Sequence, residues 1–581
     1  MPMNHNGTSG ANDPWWKRAV VYQIYPRSFQ DSDGDGIGDL RGILQRVDYL
    51  TTLGVDVVWL SPIYRSPQDD NGYDISDYQD IDPTFGTLED LDELVGTLHG
   101  KGIKVVMDLV VNHTSDEHPW FIESRSSTDN PKRDWYWWRP AREGMEPGAP
   151  GAEPTNWGSF FSGPTWDFDP ATGEYYLHLF SRKQPDLNWE NPEVRHAVYD
   201  LMRWWLARGI DGFRMDVINF ISKDLRSDRS LPEGPVSNGP YGSVHEATIN
   251  GPRVHEFLQE MNREVFQGRR DALLLVGETP GTTVEDGLLY TDPRRAELDM
   301  VFTFEHVSLD HGPGGRFDPK SMDLAELKAT LGRWQAGLRD VGWNALYWNN
   351  HDQPRIVSRY GDDGDYRRQS ATMLATVLHL HRGTPYVYQG EELGMTNVRF
   401  TSLDAYRDIE SVRYAVEARE LGHRSEDEIL GALAAQSRDN GRTPMQWDDS
   451  PHAGFTTGEP WIQVNANYPM INAEAEHADA ESVFHYYRRL ISLRHEDPTV
   501  QSGDFTMQLV DHPQVYAFTR SLDGDQLLVL GNFFPDEQLI EHGEEWSGAE
   551  LVIGNYSSPA MPANGAVALR PWEAIVLRRK L

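Results

Sequence analysis

Three carboxylates each follow a short apolar stretch of this chain. Asp216 and Glu278 close such stretches at their carboxyl ends, and Asp352 comes shortly after the run Trp343–Trp348. Cleavage of a glycosidic bond needs an ionised carboxylate and a protonated carboxyl group on either side of the bond. One acid of this kind could equally be a helix N-cap or a salt-bridge partner. All three together predict sugar-bond cleavage.

Basic side chains accompany these acids. Arg214 stands two residues before Asp216, so both side chains point to the same side of a strand. A guanidinium group there is expected to keep Asp216 ionised and in place. Apolar residues before Glu278, with two other acids nearby, are expected to raise its pKa for proton donation. His113 and His351 stand beside the acids at strand ends and are expected to hydrogen-bond sugar hydroxyl groups.

A repeated strand-then-helix pattern would position these groups. The apolar runs are mostly continuous rather than alternating, which is typical of parallel strands buried on both faces. Helical segments such as 87–99, 192–208 and 322–340 lie between them. The pattern predicts an α/β fold, a (β/α)₈ TIM barrel whose site lies at the carboxyl ends of the strands. The eight predicted strands are Ala19–Tyr25, Val55–Leu60, Ile103–Val111, Ile210–Val217, Leu273–Glu278, Met300–Phe304, Trp343–Trp348 and Thr384–Tyr388.

Two long segments interrupt this pattern, and a different pattern follows it. Residues 114–186 are rich in Trp, Pro and Gly and are too long for an ordinary loop, which predicts an inserted subdomain after strand three. Residues 391–468 predict a more helical excursion after strand eight. Short apolar runs from residue 503 onward predict an antiparallel β domain. The predicted domains are a barrel of residues 1–113 and 187–502 with a loose tail at 1–12, the insertion at 114–186, and a β domain at 503–581.

Composition excludes several classes of partner. The formal net charge is −37, from 53 basic and 90 acidic residues. This charge would repel phosphate groups, so neither nucleic acid nor an anionic membrane is an expected partner. The chain has no cysteine and no apolar run of the roughly 18 residues that span a membrane. Residues 1–12 are polar and contain no apolar stretch of the kind that a secretory signal needs, so we expect none. We expect a cytoplasmic protein that is a monomer or a weak homodimer and binds a small oligosaccharide.

A second acidic motif occupies residues 31–39, where Asp alternates with other residues that include several Gly. Such a loop can aim several oxygen atoms at a hard cation such as Ca²⁺. The motif is not a complete EF-hand, because Gly42 stands where that loop has Glu. It predicts either a structural Ca²⁺ site, with Mg²⁺ also possible, or a metal-free turn.

Several segments together resemble the α-amylase family of glycoside hydrolases, over nearly the whole chain. Asp108–His113, Gly212–Asp216, Glu278 and Asn350–Asp352 are similar to the four characteristic regions of that family, and Gln184–Asn188 is similar to a further one. The resemblance is strongest to its oligo-1,6-glucosidase and α-glucosidase branch. The segments that indicate this branch are Trp15–Lys17, Val21–Phe29, Asp70–Asp74, Gly390–Met395 and Arg442–Trp447.

The resemblance implies a role for each matching position. Asp216 would be the nucleophile, Glu278 the acid and then the base, and Asp352 would stabilise an oxocarbenium-like transition state. Asp70 and Arg442 would grip the terminal glucose and close the pocket, and Tyr73 would stack on that glucose. His113, Arg214 and His351 would complete the subsite. The implied metal ligands are the side chains of Asp31, Asp33, Asp35 and Asp39 with the carbonyl group of Ile37.

The predicted activity is that of a retaining exo-acting α-glucosidase that releases glucose from the non-reducing end of short α-glucosides. Val217, directly after the nucleophile, resembles members that prefer α-1,6 linkages, as in isomaltose, isomaltooligosaccharides and panose. Alanine or threonine there resembles members that prefer α-1,4 linkages. The alternatives are an α-1,4-preferring maltase, a sucrose-acting glucosyltransferase or isomerase, and a catalytically inactive scaffold subunit. Segment 304–315 resembles hydrolases rather than isomerases.

Overall fold

The computed structural model describes residues 13–236, 239–422, 424–541 and 543–581. The predicted tail at residues 1–12 lies outside the described residues. Within them, no helix is both long enough and apolar enough to cross a lipid bilayer.

Eight parallel strands form the central sheet, in the spatial order β6-β5-β4-β3-β2-β1-β8-β7. A parallel bridge between Val301 and Asn344 joins its two edges, so the sheet closes into a barrel. The predicted TIM barrel is therefore confirmed. Several strands are shorter than predicted, and only two residues of the predicted run Trp343–Trp348 are strand. The strands are β1 (Val21–Ile24), β2 (Val57–Leu60), β3 (Lys104–Val110), β4 (Gly212–Asp216), β5 (Leu274–Glu278), β6 (Met300–Phe302), β7 (Ala345–Leu346) and β8 (Thr384–Tyr388).

Nearly every strand residue of the barrel is buried, because side chains on one face fill the interior and those on the other face pack under helices. The interior cluster includes Trp59, Val276 and Phe302. Helices of the outer layer lie between or after the strands. They are α1 (Val47–Leu53), α2 (Leu88–Gly100), α3 (Pro192–Ala207), α4 (Val254–Met261), α5 (Val284–Thr291), α6 (Leu324–Gly337) and α7 (Arg367–Leu380).

The segment between β3 and α3 forms a helix, Pro119–Ser126, and a small antiparallel sheet of Trp138–Arg139, Trp166–Asp169 and Glu174–Leu177. This insertion packs on the long segment that follows β4. Residues of both segments, including Trp157 and Phe220, share one apolar cluster. The sequence did not predict that the segment after β4 would take part, because no periodic pattern marks it.

The segment after β8 contains helices that return over the carboxyl end of the barrel. They are α8 (Ile409–Leu421), α9 (Glu426–Gln436), α10 (Asp439–Arg442) and, on the barrel wall, α11 (Val483–Glu496). A five-stranded antiparallel sheet follows, which confirms the predicted C-terminal β architecture. Its strands pair in the order β9-β10-β11-β13-β12. They are β9 (Asp504–Gln508), β10 (Val515–Leu522), β11 (Asp525–Asn532), β12 (Glu550–Gly554) and β13 (Ala574–Lys580), beside a separate pair, Gln538–Glu541 and Ala566–Leu569.

Candidate active site

A single arginine holds three carboxylates that come from three neighbouring strands. Arg214 Nη1 lies 2.7 Å from Asp108 Oδ1 and 2.6 Å from Asp216 Oδ1, and its Nη2 lies 2.7 Å from Glu278 Oε1. Strand register produces this arrangement, because Arg214 stands opposite Asp108 on β3 and opposite Val276 on β5. The three acids and the guanidinium group therefore form one buried network at the carboxyl end of the barrel.

Close approach of β4 and β5 brings the two acids together. A Cβ at Gly212 would lie 1.9 Å from the carbonyl oxygen of Leu274, and the φ of Gly212 is 151°. Only glycine fits such a position. At the far end of these strands, Asp216 and Glu278 follow the paired residues Met215 and Gly277, and both side chains contact Arg214.

The surroundings give these two acids different pKa values. Burial raises the pKa of Asp216 to about 6, although the Arg214 guanidinium opposes this rise. Burial raises the pKa of Glu278 to about 8, and the charges of Asp216 and Asp352 add to the effect. The predicted rise at Glu278 thus agrees with the structure. At Asp216, the Arg214 guanidinium limits the rise in pKa that burial causes. Near pH 7, Asp216 is therefore mostly ionised and Glu278 mostly carries a proton.

Asp352 lies in the loop after β7 and stays ionised. Its Oδ1 lies 3.1 Å from Arg438 Nη1 and 2.8 Å from Arg442 Nη2, and its Oδ2 lies 3.2 Å from His351 Nε2. Burial alone would raise the pKa of Asp352. The contacts with His351, Arg438 and Arg442 outweigh burial and hold that pKa well below its usual range.

The partner of Asp70 differs from the predicted one. The resemblance implied that Asp70 acts with Arg442, but Arg438 Nη2 lies 3.3 Å from Asp70 Oδ1. Arg442 is 1% exposed and lies behind Asp352, where its Nη1 also contacts Asp408 at 3.1 Å. Both arginines sit at the short helix α10, and its orientation turns Arg438 rather than Arg442 toward the cavity. Arg438 is therefore a site residue that sequence reasoning missed.

Neutral aromatic groups complete one side of the site. The rings of Tyr73 and His351 stack with centroids 5.1 Å apart, and the Tyr73 hydroxyl donates to Asp108 Oδ2 at 3.3 Å. His113 Nε2 lies 3.1 Å from the carbonyl oxygen of Tyr73 and 3.2 Å from Gln184 Nε2. Burial lowers the pKa of His113 to about 4 and that of His351 to about 3, so both rings are neutral near pH 7.

A cavity of about 320 Å³ opens beside these groups. Of the predicted site residues, Asp70, Tyr73, His113, Asp216, Glu278 and Asp352 line it. The others, Arg214, His351 and Arg442, lie behind this lining and contact the acids from the protein side. The cavity-lining residues that sequence reasoning did not assign to the site are Phe160, Phe161, Phe180, Phe220, Pro280, Phe304, Val307, Ser308, His311, Arg316, Gln353, Glu410 and Arg438.

Most of these additional residues belong to segments with no sequence motif. Arg316 and Glu410 come from the excursions after β6 and β8 and form an ion pair of 3.1 Å at the cavity. Phe160 of the insertion stacks on Phe220 from the segment after β4, with centroids 5.4 Å apart. Among these residues, the sequence offered a signal only for Arg438, because it stands four residues before the recognised motif that begins at Arg442.

Comparison with known proteins agrees with this geometry. The family model described as alpha amylase, catalytic domain, matches residues 23–503. The chain belongs to the α-amylase family of glycoside hydrolases. An oligo-1,6-glucosidase of Parageobacillus thermoglucosidasius is 56% identical, with 98% of this chain and 99% of that protein covered. The predicted resemblance is therefore confirmed.

Solved structures of the α-amylase family share the whole fold. A trehalose-6-phosphate hydrolase of Bacillus licheniformis superposes with a TM-score of 0.90 at 47% identity, covering 98% of this chain and 100% of that one. A trehalulose synthase of Pseudomonas mesoacidophila has a TM-score of 0.90 at 42% identity, again covering 98% and 100%. Proteins with different named activities thus share this scaffold, so the substrate must be argued from the site itself.

The acidic loop resembles a cation site in part of its predicted ligand set. Carboxylate oxygens of Asp31, Asp33 and Asp39 lie within 4.8 Å of one another. Asp35 is outside this group, and its Oδ1 accepts the N–H of Ile37 at 2.8 Å. The donor set is three carboxylates, which suits Ca²⁺ or Mg²⁺ rather than a softer metal.

The separated pKa values predict a bell-shaped pH profile for kcat/KM in this α-amylase family member. Activity should fall as the pH drops through about 6, because protonation of Asp216 removes the charged carboxylate. Activity should also fall as the pH rises through about 8, because Glu278 then loses its proton. Initial rates on an α-glucoside between pH 4 and pH 10 would check this. Because the two acids interact, the two apparent pKa values read from the profile describe the pair and not either residue alone. A profile that stays flat across both limbs would contradict the protonation states.

Proposed function

We propose that this protein is a retaining exo-acting α-glucosidase that releases glucose from the non-reducing end of short α-glucosides and prefers α-1,6 linkages. The observation that carries the proposal is that Asp216 and Glu278 line one cavity and both contact Arg214, at 2.6 Å and 2.7 Å. Inverting enzymes hold their carboxyl groups about 6.5–9.5 Å apart to admit a water molecule, and retaining enzymes hold them about 5–5.5 Å apart. Two carboxyl groups that are both held by one guanidinium group support the retaining reaction.

In the proposed reaction, Asp216 attacks the anomeric carbon while Glu278 gives its proton to the departing oxygen. This step forms a covalent glucosyl–enzyme ester and frees the rest of the substrate. Glu278, now a carboxylate, takes a proton from water, which attacks the same carbon and releases glucose. Asp352 stays ionised throughout and stabilises the positive charge that develops on the sugar ring.

Exo action follows from the Asp70–Arg438 ion pair, which stands among the cavity-lining residues. Gln184 Nε2 also donates to Asp70 Oδ2 at 3.1 Å, so this carboxylate is fixed on both oxygens. A terminal glucose has hydroxyl groups that can hydrogen-bond such a fixed pair, whereas a longer chain would have to pass through it. The named activity of the Parageobacillus relative supports the same substrate class.

The α-1,6 preference depends on Val217. Its side chain lines the cavity, its N–H donates to Glu278 Oε2 at 3.1 Å, and its φ of 34° is unusual for a β-branched residue. The substitution Val217→Ala should lower the ratio of isomaltose to maltose cleavage, because it removes the methyl groups beside the acid. One methylene-sized change in a pocket typically alters discrimination by about 10–200-fold. Initial rates on isomaltose, maltose, sucrose and trehalose, measured side by side, test both the proposal and this ratio.

Val244 offers a matched control, since it packs in the same apolar cluster as Val217 and is not among the residues that line the cavity. The substitution Val244→Ala should leave the ratio unchanged. An equal ratio in wild type and Val217→Ala would remove the argument from Val217. Isomaltulose or trehalulose as the main product from sucrose would instead favour the isomerase alternative.

We also propose that the loop of residues 31–39 binds a structural Ca²⁺, with Mg²⁺ as the substitute. The ligands would be Asp31, Asp33 and Asp39, joined by Asp35 and the Ile37 carbonyl group if the loop adjusts. Asp31 Oδ1 already accepts the N–H of Gly34 at 2.7 Å, and Thr456 Oγ1 donates to Asp31 Oδ2. A bound cation would neutralise the acids and connect this loop to the segment after β8.

Chelation is therefore expected to lower the Tm and to leave the catalytic acids intact. A ligand present at about 100 times its Kd contributes about 2.7 kcal/mol to the free energy of unfolding. The measurement is differential scanning calorimetry with EDTA and after Ca²⁺ is restored, with Asp33→Asn as the variant and the exposed Asp200→Asn as its control. A Tm that does not respond to chelation, with no metal in the purified protein, would rule out the site.

A further inference from the structure

Two buried arginines lie at the end of the barrel opposite the cavity. Arg494 of α11 donates to the carbonyl groups of Lys17 at 2.6 Å, Ala19 at 3.3 Å and Gly383, which precede β1 and β8. Arg520 of β10 donates to the carbonyl oxygen of Leu380 at 2.6 Å and to that of Gly503 at 2.9 Å. Both side chains are 0% exposed. Both arginines therefore contact residues on either side of the short loop that joins α7 to β8, near the amino-terminal end of the barrel and beside the C-terminal sheet.

Each of these guanidinium groups has one nitrogen without a partner among the described residues. The unpaired atoms are Arg494 Nη1 and Arg520 Nη2. His379 lies in the last turn of α7, just before this loop and within reach of the charge of Arg494, and is 1% exposed. Both of its ring nitrogens are unpaired in the described part of the chain. Buried polar groups are almost always hydrogen-bonded, so four unpaired atoms around one loop indicate an additional ligand.

The electrostatics indicate the charge of that ligand. Among the described residues, no carboxylate oxygen lies within 4.0 Å of Arg494 or Arg520. The acids that act on them from further away are already paired, Asp497 with Arg578, Asp504 with Arg339 at 3.7 Å and Asp56 with His495 at 2.8 Å. Burial lowers the pKa of Arg494 to about 9, so it still carries its charge near pH 7. Burial and the neighbouring charges of Arg494 and Arg382 lower the pKa of Arg520 well below its ordinary value, an effect that a bound anion would oppose.

We propose that a small monovalent anion of the chloride class binds between Arg494, Arg520 and His379. Water could satisfy the unpaired nitrogens but would leave two buried positive charges uncompensated, which is costly in a protein interior. A single anion would accept from both guanidinium groups and from the N–H of a neutral imidazole. It would connect the loop before β8 to α11 and β10, and so would stabilise the contact between the C-terminal domain and the amino-terminal end of the barrel.

The direct test uses bromide as a probe, because its anomalous scattering distinguishes it from water. Crystals of the full chain transferred from chloride to sodium bromide should show an anomalous peak within hydrogen-bond distance of Arg494 Nη1 and Arg520 Nη2. Excess chloride should remove the peak. Ordered water at this position, with no anomalous signal, would overturn the proposal without any variant having to fold.

A second test measures Tm while sodium chloride replaces sodium gluconate at constant ionic strength. The Tm should rise and then saturate, by about 2–4 °C, as binding to the folded state alone requires. Arg520→Met should abolish this dependence, and Arg489→Met, which changes an exposed arginine of the same helix α11, should retain it. A dependence that never saturates, or one that Arg520→Met retains, would contradict the proposed site.

Discussion

The substitution Asp216→Asn is expected to abolish turnover and leave the fold intact. An amide of nearly the same shape cannot form the glucosyl ester, because it lacks the negative charge that makes the carboxylate nucleophilic. Loss of a residue at the centre of such a catalytic unit typically costs on the order of 10⁴-fold or more in kcat. The fold should survive, because Arg214 keeps its contacts with Asp108 and Glu278.

Release of p-nitrophenol from an α-glucoside measures this loss, and the Tm reports on the fold. Asp200→Asn is a matched control, since the side chain of Asp200 is 78% exposed and lies on the outer helix α3. The control should keep both activity and Tm. A pure Asp216→Asn protein with wild-type activity would falsify the assignment of the nucleophile.

The substitution Arg214→Met is expected to damage both stability and catalysis. It would leave Asp108, Asp216 and Glu278 buried together with no cation between them. Removal of one partner from a buried ion pair typically costs about 3–5 kcal/mol, because the remaining charges stay buried without compensation. The pKa of Asp216 should rise, so less of the protein would carry an ionised nucleophile near pH 7.

The stability loss in Arg214→Met should depend on pH with a definite sign. The carboxyl groups would have higher pKa values in the folded than in the unfolded state, so folding would favour their protonated forms. The deficit should therefore be smaller at pH 5 and should grow as the pH rises through the folded-state values. Urea unfolding at pH 5 and pH 8 measures it. The comparison is Arg203→Met, because Arg203 is a surface arginine with 42% side-chain exposure that should change stability by at most about 1 kcal/mol. Equal, small losses in both variants would show that Arg214 is not essential to the network.

Most of the barrel could be predicted because its signals are local. Each continuous apolar run is about as long as a strand that crosses a barrel, and the residue that ends the run must lie at the rim. Asp216 and Glu278 could therefore be assigned to one rim before any contact was known. Strand limits were less accurate, as β7 shows, because the residues around Ala345–Leu346 are equally apolar whether or not they pair.

The choice between Arg438 and Arg442 could not be made in this way. Both are arginines on one turn of chain, and a sequence pattern says nothing about which of them faces Asp70. That choice depends on how the excursion after β8 folds back over the loop that carries Asp70. The aromatic wall has the same origin, since Phe160 and Phe220 come from segments that meet only in the folded protein.

The sequence by itself determined the barrel, the rim that carries the acids, and the identity of those acids, because strand length and residue type are encoded over a few neighbouring residues. Only the tertiary structure decided the raised pKa of Asp216, the partner of Asp70, and the unpaired guanidinium groups beneath the barrel. These properties depend on burial and on distances between residues far apart in the chain. Such distances exist only once the strands and the returning loops have packed together.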